Sequence, residues 1–410
     1  MTTALNTVPS NAAETAPVSD FERIMAAVEE AANMLQATSE KSESLGELAP
    51  EVFEWMREQR LSMLIIPKDL GGYGVSPTQA LTIWEKISYH QAAAGWVGFI
   101  HGGAAAMCVG YLDKAGTDIL FDPDANNIIC GAGAPTGVAE KVPGGYRITG
   151  RWSYGSGITF ADYAHTGAIL HIDGEPQYDD QGRPIVLCVH PTTEEMVNEG
   201  NWDVLGLQGT GSIDYSFKDV FCPEELAYDF GANIPIRDFG FFQIGPVGIA
   251  AMGHPAVAIA LSRRIMDEAA AFARSKSNRS QMAGTSDAFW EEFARMDARV
   301  RASRAFLFET WRQVEQHIID DTKMPTRLHT LIRMASIEVH DTAAEAAQFA
   351  YRACGGAALR DGTIQRLFRE VYVAVQHLTV SPAMVRTCGR ELMDAAPDKV
   401  WRMYDLADPG

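Results

Sequence analysis

The chain has 410 residues, 47% hydrophobic and 21% charged, with a formal net charge of −19. That length accommodates two or three domains, and an acidic chain without a run of Lys and Arg excludes a phosphate-tracking nucleic-acid surface. Its six cysteines form no C-x-x-C pair and its ten histidines no H-E-x-x-H or H-x-H spacing, so neither a disulfide framework nor a metal centre is expected.

Residues 1–17, MTTALNTVPSNAAETAP, lack a basic segment followed by a long apolar run. They read as a flexible tail and not as a secretory signal, which leaves a cytoplasmic setting as the default. Residues 18–121 read as a helical domain. FERIMAAVEE (21–30) and PEVFEWMRE (50–58) place apolar residues three and four apart. IIPKDLGGYGVSP (65–77) is a Gly/Pro loop, and helical runs follow from Thr78 and Ala93.

Ala92 to Leu112 and Phe239 to Ser262 carry no charged residue and are long enough to cross a bilayer. Their glycines and prolines, with His101 and His254, predict helices buried in a helical assembly, not membrane spans. Covering two such helices takes more than one bundle, which predicts a homotetramer.

The texture changes near Asp122. Through about residue 232, short β-type runs such as YRITGRWSY, YAHTGAILHI and DYSFKDVFC alternate with turn signals. This predicts a β-barrel or sandwich domain. From 233 to 410 the helical pattern returns. Pro255 to Arg274, Ala288 to Asp320, Leu328 to Cys354 and Ile364 to Val380 predict a four-helix bundle, with a shorter helix after Pro382. No G-x-G-x-x-G or Walker loop is present. The fold class is α+β and mainly α.

Four segments carry chemistry. In GRWSYGSG (150–157) the two-residue period puts Trp152, Tyr154 and Ser156 on one face. That face suits one wall of a flat ligand's pocket, or equally a sandwich core. LGLQGTGS (205–212) is a Gly-rich loop whose backbone and Thr210 and Ser212 hydroxyls suit a phosphate or a flavin ring, or a plain turn. FARSKSNR (272–279) ends a bundle helix, where Arg274, Lys276 and Arg279 favour the helix dipole and also suit an anionic tail. In GGAALRDGTIQRLFREVYVAVQH (355–377), Asp361 or Thr363 caps a helix on which Arg366, Arg369, Val373 and His377 recur on one side. Those arginines suit an anion, or carboxylates across a subunit contact.

The order of domains and the GRWSYGSGI, LGLQGTGS…DVFCP and GGAALRDGTIQRLFREVYVAVQH segments together resemble the acyl-CoA dehydrogenase superfamily. More narrowly they resemble the oxygenase components of two-component flavin-dependent monooxygenases, over about residues 20 to 400. The C-terminal segment and AAAGW (92–96) carry the narrower resemblance. Dehydrogenases of this fold use a Glu after the Gly-Gly turn, where AALRDGT offers only Asp361, or an acid early in the helix after the β-domain, where FGFFQIG has none. The oxygenases carry a histidine after an Arg-Asp pair, and Arg369-Glu370…His377 is similar, with Glu in place of Asp.

The resemblance implies reduced FMN or FAD, FMN slightly favoured, delivered by a separate NAD(P)H-flavin reductase. It implies that O2 adds at flavin C4a to give a hydroperoxide that hydroxylates an aromatic or heteroaromatic small molecule. By that resemblance Ser156 bonds flavin N5, and His377 is the acid–base group, suited by its unperturbed pKa. Trp152, Tyr154, Thr210, Ser212, Lys276, Arg274 and Arg369 are cofactor contacts, and Trp96 and His101 line the substrate pocket. The same fold also allows an acyl-CoA dehydrogenase with FAD, and a silent assembly subunit is a third possibility.

Overall fold

The computed structural model describes residues 18–122, 124–231, 235–237, 240–275 and 286–408. Six helices come first: α1 (Asp20–Ala37), α2 (Ser39–Leu45), α3 (Pro50–Glu58), α4 (Pro77–His90), α5 (Ala92–Tyr111) and α6 (Lys114–Leu120). Their starts follow capping chemistry. Ser19 and Ser76 head α1 and α4 in reciprocal capping boxes with Glu22 and Gln79. The α4 start is also tied across the molecule, since the Ser76 hydroxyl and the Thr78 N–H both donate to the Glu315 carboxylate at 2.6 Å.

Ten strands follow: β1 (Ile129–Cys130), β2 (Gly137–Val142), β3 (Gly145–Gly155), β4 (Tyr163–Ala164), β5 (Thr166–Ile172), β6 (Glu175–Pro176), β7 (Val186–Val189), β8 (Val197–Gly200), β9 (Ile213–Pro223) and β10 (Ala227–Asp229). Eight of them form one sheet in the order β10-β7-β5-β2-β3-β9-β8, with β6 on β5, while β1 and β4 pair in parallel. Within the large sheet only β2–β5 is parallel.

The bundle comprises α7 (Gly245–Ser275), α8 (Asp287–Ile319), α9 (Thr326–Cys354), α10 (Thr363–Ala374) and α11 (Pro382–Leu392), closed by a hairpin of β11 (Val400–Arg402) and β12 (Asp405–Ala407). The four long segments foreseen in the sequence are α7 to α10. Helix α7 starts ten residues before Pro255, because Pro255 sits inside the helix. Neither Asp361 nor Thr363 caps α10; Gly362 is its N-cap, with no side-chain cap bond.

One apolar core runs without a break through the helical region, the sheet and the bundle. Helices α5 and α7 lie in it. Both are long and apolar enough to span a membrane, and 89% of the most apolar window of each is buried. The chain covers them by itself, which removes the reason given above for a tetramer.

Candidate functional site

The end of β3 separates residues that the sequence pattern puts together. The β3–β9 register shifts between the Trp152–Tyr215 and Gly155–Ile213 pairs, and Tyr154 takes a φ of 68°. Such a bulge breaks the two-residue alternation. Trp152 therefore turns into the sheet core. It stacks on Tyr215 at 5.7 Å, and its N–H donates to the carbonyls of Ala134 and Gly167 at 3.1 and 2.8 Å. Tyr154 points outward and is 73% exposed. Only Ser156 turns inward beyond the bulge, where it is buried. The single shared face expected from sequence does not form.

Ser156 meets the Gly-rich loop in a line of hydroxyls. Trp96 Nε1 donates to Ser156 Oγ at 3.1 Å, Ser156 Oγ lies 2.7 Å from Ser212 Oγ, and Ser212 Oγ lies 2.7 Å from Thr210 Oγ1. Thr210 Oγ1 donates to the Leu207 carbonyl at 2.8 Å. An indole N–H only donates and a carbonyl only accepts. Both ends being fixed, every proton in the line runs from Trp96 toward Leu207. Ser156 thus spends its proton on Ser212 and keeps one lone pair. Gly157 (φ 74°) follows, and a Cβ there would lie 2.8 Å from His101 Nε2, so only glycine fits. His101 is buried beneath it with Nε2 3.3 Å from the Gly157 carbonyl.

Beyond Trp96 a cavity of about 410 Å³ opens between α5, the 131–135 segment that joins β1 to β2, and α7; Trp96 and His101, expected to line the substrate pocket, are not among its lining residues. Its walls include Phe99, Ile100, Met107, Phe230 and Ile249, with His165, His254, His377, Thr379 and Tyr404 as polar side chains. His377 is not on the α10 face. Helix α10 ends at Ala374, and His377 heads a 3-10 turn at Leu378–Val380 with φ −124°. Leaving the helix carries its ring to 3.7 Å from that of His254, which in turn meets Trp96 edge-on at 4.8 Å. Burial pushes His377 and its neighbour His340 down to about 4, and burial and His377 together hold His254 well below the usual value.

The arginines serve another purpose. Arg366 pairs with Glu40 at 3.7 Å. Arg369 bonds the Glu43 carboxylate, the Gln365 side chain at 3.0 Å and the Leu205 carbonyl at 2.8 Å. These contacts clamp α10 to α2 and to the Gly-rich loop within one chain, so Arg369 has its guanidinium committed away from the cavity. Beside it Glu370 is buried, and burial raises its carboxyl to about 7. Arg274 is exposed in the last turn of α7, and Lys276 lies outside the described residues.

A second cluster escapes any reading of spacing, since its members stand on distant segments. Ligand atoms of Cys108, His165 and His190 lie within 4.8 Å of one another, all buried. His190 Nδ1 donates to the Leu226 carbonyl at 2.9 Å, and its Nε2 lies 3.0 Å from His165 Nδ1 and 3.2 Å from Cys108 Sγ. Hydrogen bonds satisfy these rings as they stand.

Family models for the acyl-CoA dehydrogenase N-terminal and C-terminal domains match residues 21–120 and 252–382, together more than half of the chain. The chain belongs to the acyl-CoA dehydrogenase superfamily. Among its relatives, an indole-3-acetate monooxygenase of Pseudomonas putida is 24% identical over 96% of this chain and 97% of its own. The oxygenase subunit HsaA of a flavin-dependent monooxygenase of Rhodococcus jostii is 24% identical over 85% of this chain and 92% of its own. The structure of XiaF from a Streptomyces species, in complex with FADH2 and glycerol, superposes with a TM-score of 0.81 at 18% identity, covering 91% of this chain and 96% of that one.

Within this superfamily the acid–base group separates the chemistries. Asp361 is exposed and lines a surface groove with Glu40, Glu43 and Arg366, not the cavity. Among the described residues that line the cavity, none is a carboxylate. His254 is the site residue that sequence reasoning missed. A lone His in a charge-free helix is a weak signal, and only the packing of α7 against the turn at His377 gives it a partner.

Proposed function

We propose that this chain is the oxygenase component of a two-component flavin-dependent monooxygenase that hydroxylates a small aromatic molecule. The observation that carries the reading is the mainly apolar cavity where His254 and His377 meet and where, among the described residues, no carboxylate stands. An acyl-CoA dehydrogenase requires a carboxylate base there, and Asp361 stands elsewhere.

Ser156 offers the test of fit for a flavin. Its spare valence is a lone pair, which accepts the N5–H of reduced flavin and has nothing to offer the bare N5 of the oxidised form. Ser156 would therefore hold N5–H, with Thr210 and Ser212 orienting it and Trp96 bridging it to the substrate side. Reduced flavin, FMN or FAD, would supply the two electrons that leave one atom of O2 as water. The apolar side chains of the cavity wall would shield the reacting groups from water. His254 and His377 hold and move the substrate's proton. The separate NAD(P)H-flavin reductase and a cytoplasmic setting belong to this same proposal, whereas the homotetramer expected from sequence loses its ground once one chain covers α5 and α7.

Chemically reduced FMN or FAD, 18O2 and an aromatic probe test it on the purified protein. Label in the hydroxylated product is the expected result. Label recovered only as hydrogen peroxide, or desaturation of an acyl-CoA, would overturn it.

A further inference from the structure

His254 and His377 line one cavity with ring centres 3.7 Å apart, yet the backbone fixes their protons differently. His254 Nδ1 lies 2.9 Å from the Ala250 carbonyl. A carbonyl only accepts, so Nδ1 bears the proton and Nε2 of neutral His254 keeps its lone pair. His377 Nδ1 accepts the Thr379 backbone N–H at 3.2 Å and lies 2.8 Å from the Thr379 hydroxyl. An amide N–H only donates, so the proton of neutral His377 stands on Nε2. Each ring has its Nδ1 edge turned to backbone and its Nε2 edge left over. His340, packed behind them, has its Nδ1 donating to the Ser336 carbonyl at 2.7 Å; of the other polar side chains on the wall, Thr379 is engaged by His377, His165 lies 3.0 Å from His190, and Tyr404 is 42% exposed.

We propose that His254 is the hydrogen-bond acceptor of the substrate site and His377 its donor, and that the pair selects an aromatic molecule bearing a hydroxyl group. A phenolic hydroxyl uses both partners at once. Its O–H donates to His254 Nε2 while its oxygen accepts from His377 Nε2–H. If the proton is transferred, it passes from the phenol oxygen to His254 Nε2, and the imidazolium formed stays bonded to the Ala250 carbonyl. An indole N–H satisfies His254 alone and leaves the His377 proton unpaired. A sulfur heterocycle has no proton for His254 and only a weak acceptor for His377. A buried polar group left unpaired costs more than a hydrogen bond gains, so the pair discriminates against both. The cavity's use rests on the oxygenase reading, but the donor–acceptor assignment stands on the backbone contacts.

Binding of 2-naphthol and of its methyl ether to the flavin-free protein tests the assignment. The ether keeps the oxygen that accepts from His377 and lacks the proton that His254 takes. Wild-type protein is expected to bind 2-naphthol about tenfold more tightly than the ether, the scale of one hydrogen bond and its unpaired partner. His254→Phe should remove that gap, weakening 2-naphthol and sparing the ether the unpaired His254 nitrogen. His377→Phe should weaken both ligands alike and keep the gap. A gap that survives His254→Phe and vanishes in His377→Phe would reverse the roles, and equal binding by wild type would overturn the proposal without recourse to a variant. 18O incorporation measured on the same preparation separates the two readings. Incorporation without a gap sinks this assignment alone; a gap without incorporation sinks the oxygenase reading alone.

Discussion

The fate of single protons sets the residue scale. The line Trp96–Ser156–Ser212–Thr210–Leu207 has one direction because its last acceptor is a carbonyl. Thr210→Val removes that anchor. Ser212 is then free to donate to Ser156, and Ser156 to donate outward. The preference for reduced over oxidised flavin should fall by about fivefold, one neutral hydrogen bond. Anaerobic flavin titrations in both redox states check this. Trp96→Phe leaves the Leu207 end intact and should preserve the preference; equal loss in both variants would contradict the direction. Ser156→Ala should bind reduced flavin and release more of the oxygen as hydrogen peroxide, for the same roughly 1 kcal/mol. At the cavity, His377→Ala should slow hydroxylation at least about 100-fold, the scale of a lost acid–base group. It also removes the side chain that accepts the Thr379 N–H, worth roughly 1 kcal/mol as a cap. Turnover per folded molecule and melting temperature, measured together, separate the chemical loss from the structural one. Retained turnover would take His377 out of the site.

At the scale of elements, the Gly-rich loop and α10 are one joint. A Cβ on Gly206 would lie 2.4 Å from the Arg369 carbonyl carbon and oxygen and 2.7 Å from the Glu370 nitrogen. Backbone atoms cannot move aside as a side chain does, so Gly206→Ala should cost about 1–3 kcal/mol, the range for overpacking. Gly356, in the turn after α9, has nothing within 4 Å of its Cβ position. Gly356→Ala should be neutral or slightly stabilising. Urea unfolding of the two variants decides, and equal stability would show that the loop does not press on α10. The joint explains why Arg366 and Arg369 were misleading in sequence. Their spacing marks a helix face that meets a partner, and α2 with the 205–212 loop is that partner within the chain.

Across the whole molecule, histidines withdrawn from water, His101, His190 and His340 fully and His329 and His377 in part, make the fold sensitive to acid. Burial pushes His101, His190, His329, His340 and His377 each down to about 4. In the unfolded chain they titrate near 6.5. Their neutral forms are compatible with the fold, so their contribution is present above pH 6.5 and is lost as pH falls toward 4, at most about 3 kcal/mol apiece. Glu370 acts in the opposite sense. Its folded value of about 7 lies above that of a free carboxyl, so it favours folding at low pH and loses that effect as pH rises through 7. Five groups outweigh one. The melting temperature should fall continuously from pH 6.5 to 4, and more steeply in Glu370→Gln. A melting temperature flat over that window would contradict the burial of these imidazoles.

Sequence alone determined the order of helical, β and bundle regions, because apolar periods of 3.6 and 2 are written along the chain. It also singled out the segments that carry Ser156, Thr210 and Ser212, but only the fold brings their hydroxyls into one line. Tertiary structure alone decided the rest. A bulge after Trp152 sent that ring to the core and Tyr154 to solvent, and no local pattern marks where a register slips. The end of α10 at Ala374 moved His377 off its helical face and set it against His254, 123 positions earlier in the chain. Which nitrogen of each ring keeps a lone pair depends on backbone groups of α7 and of the turn that follows α10, and those contacts exist only once the bundle is packed.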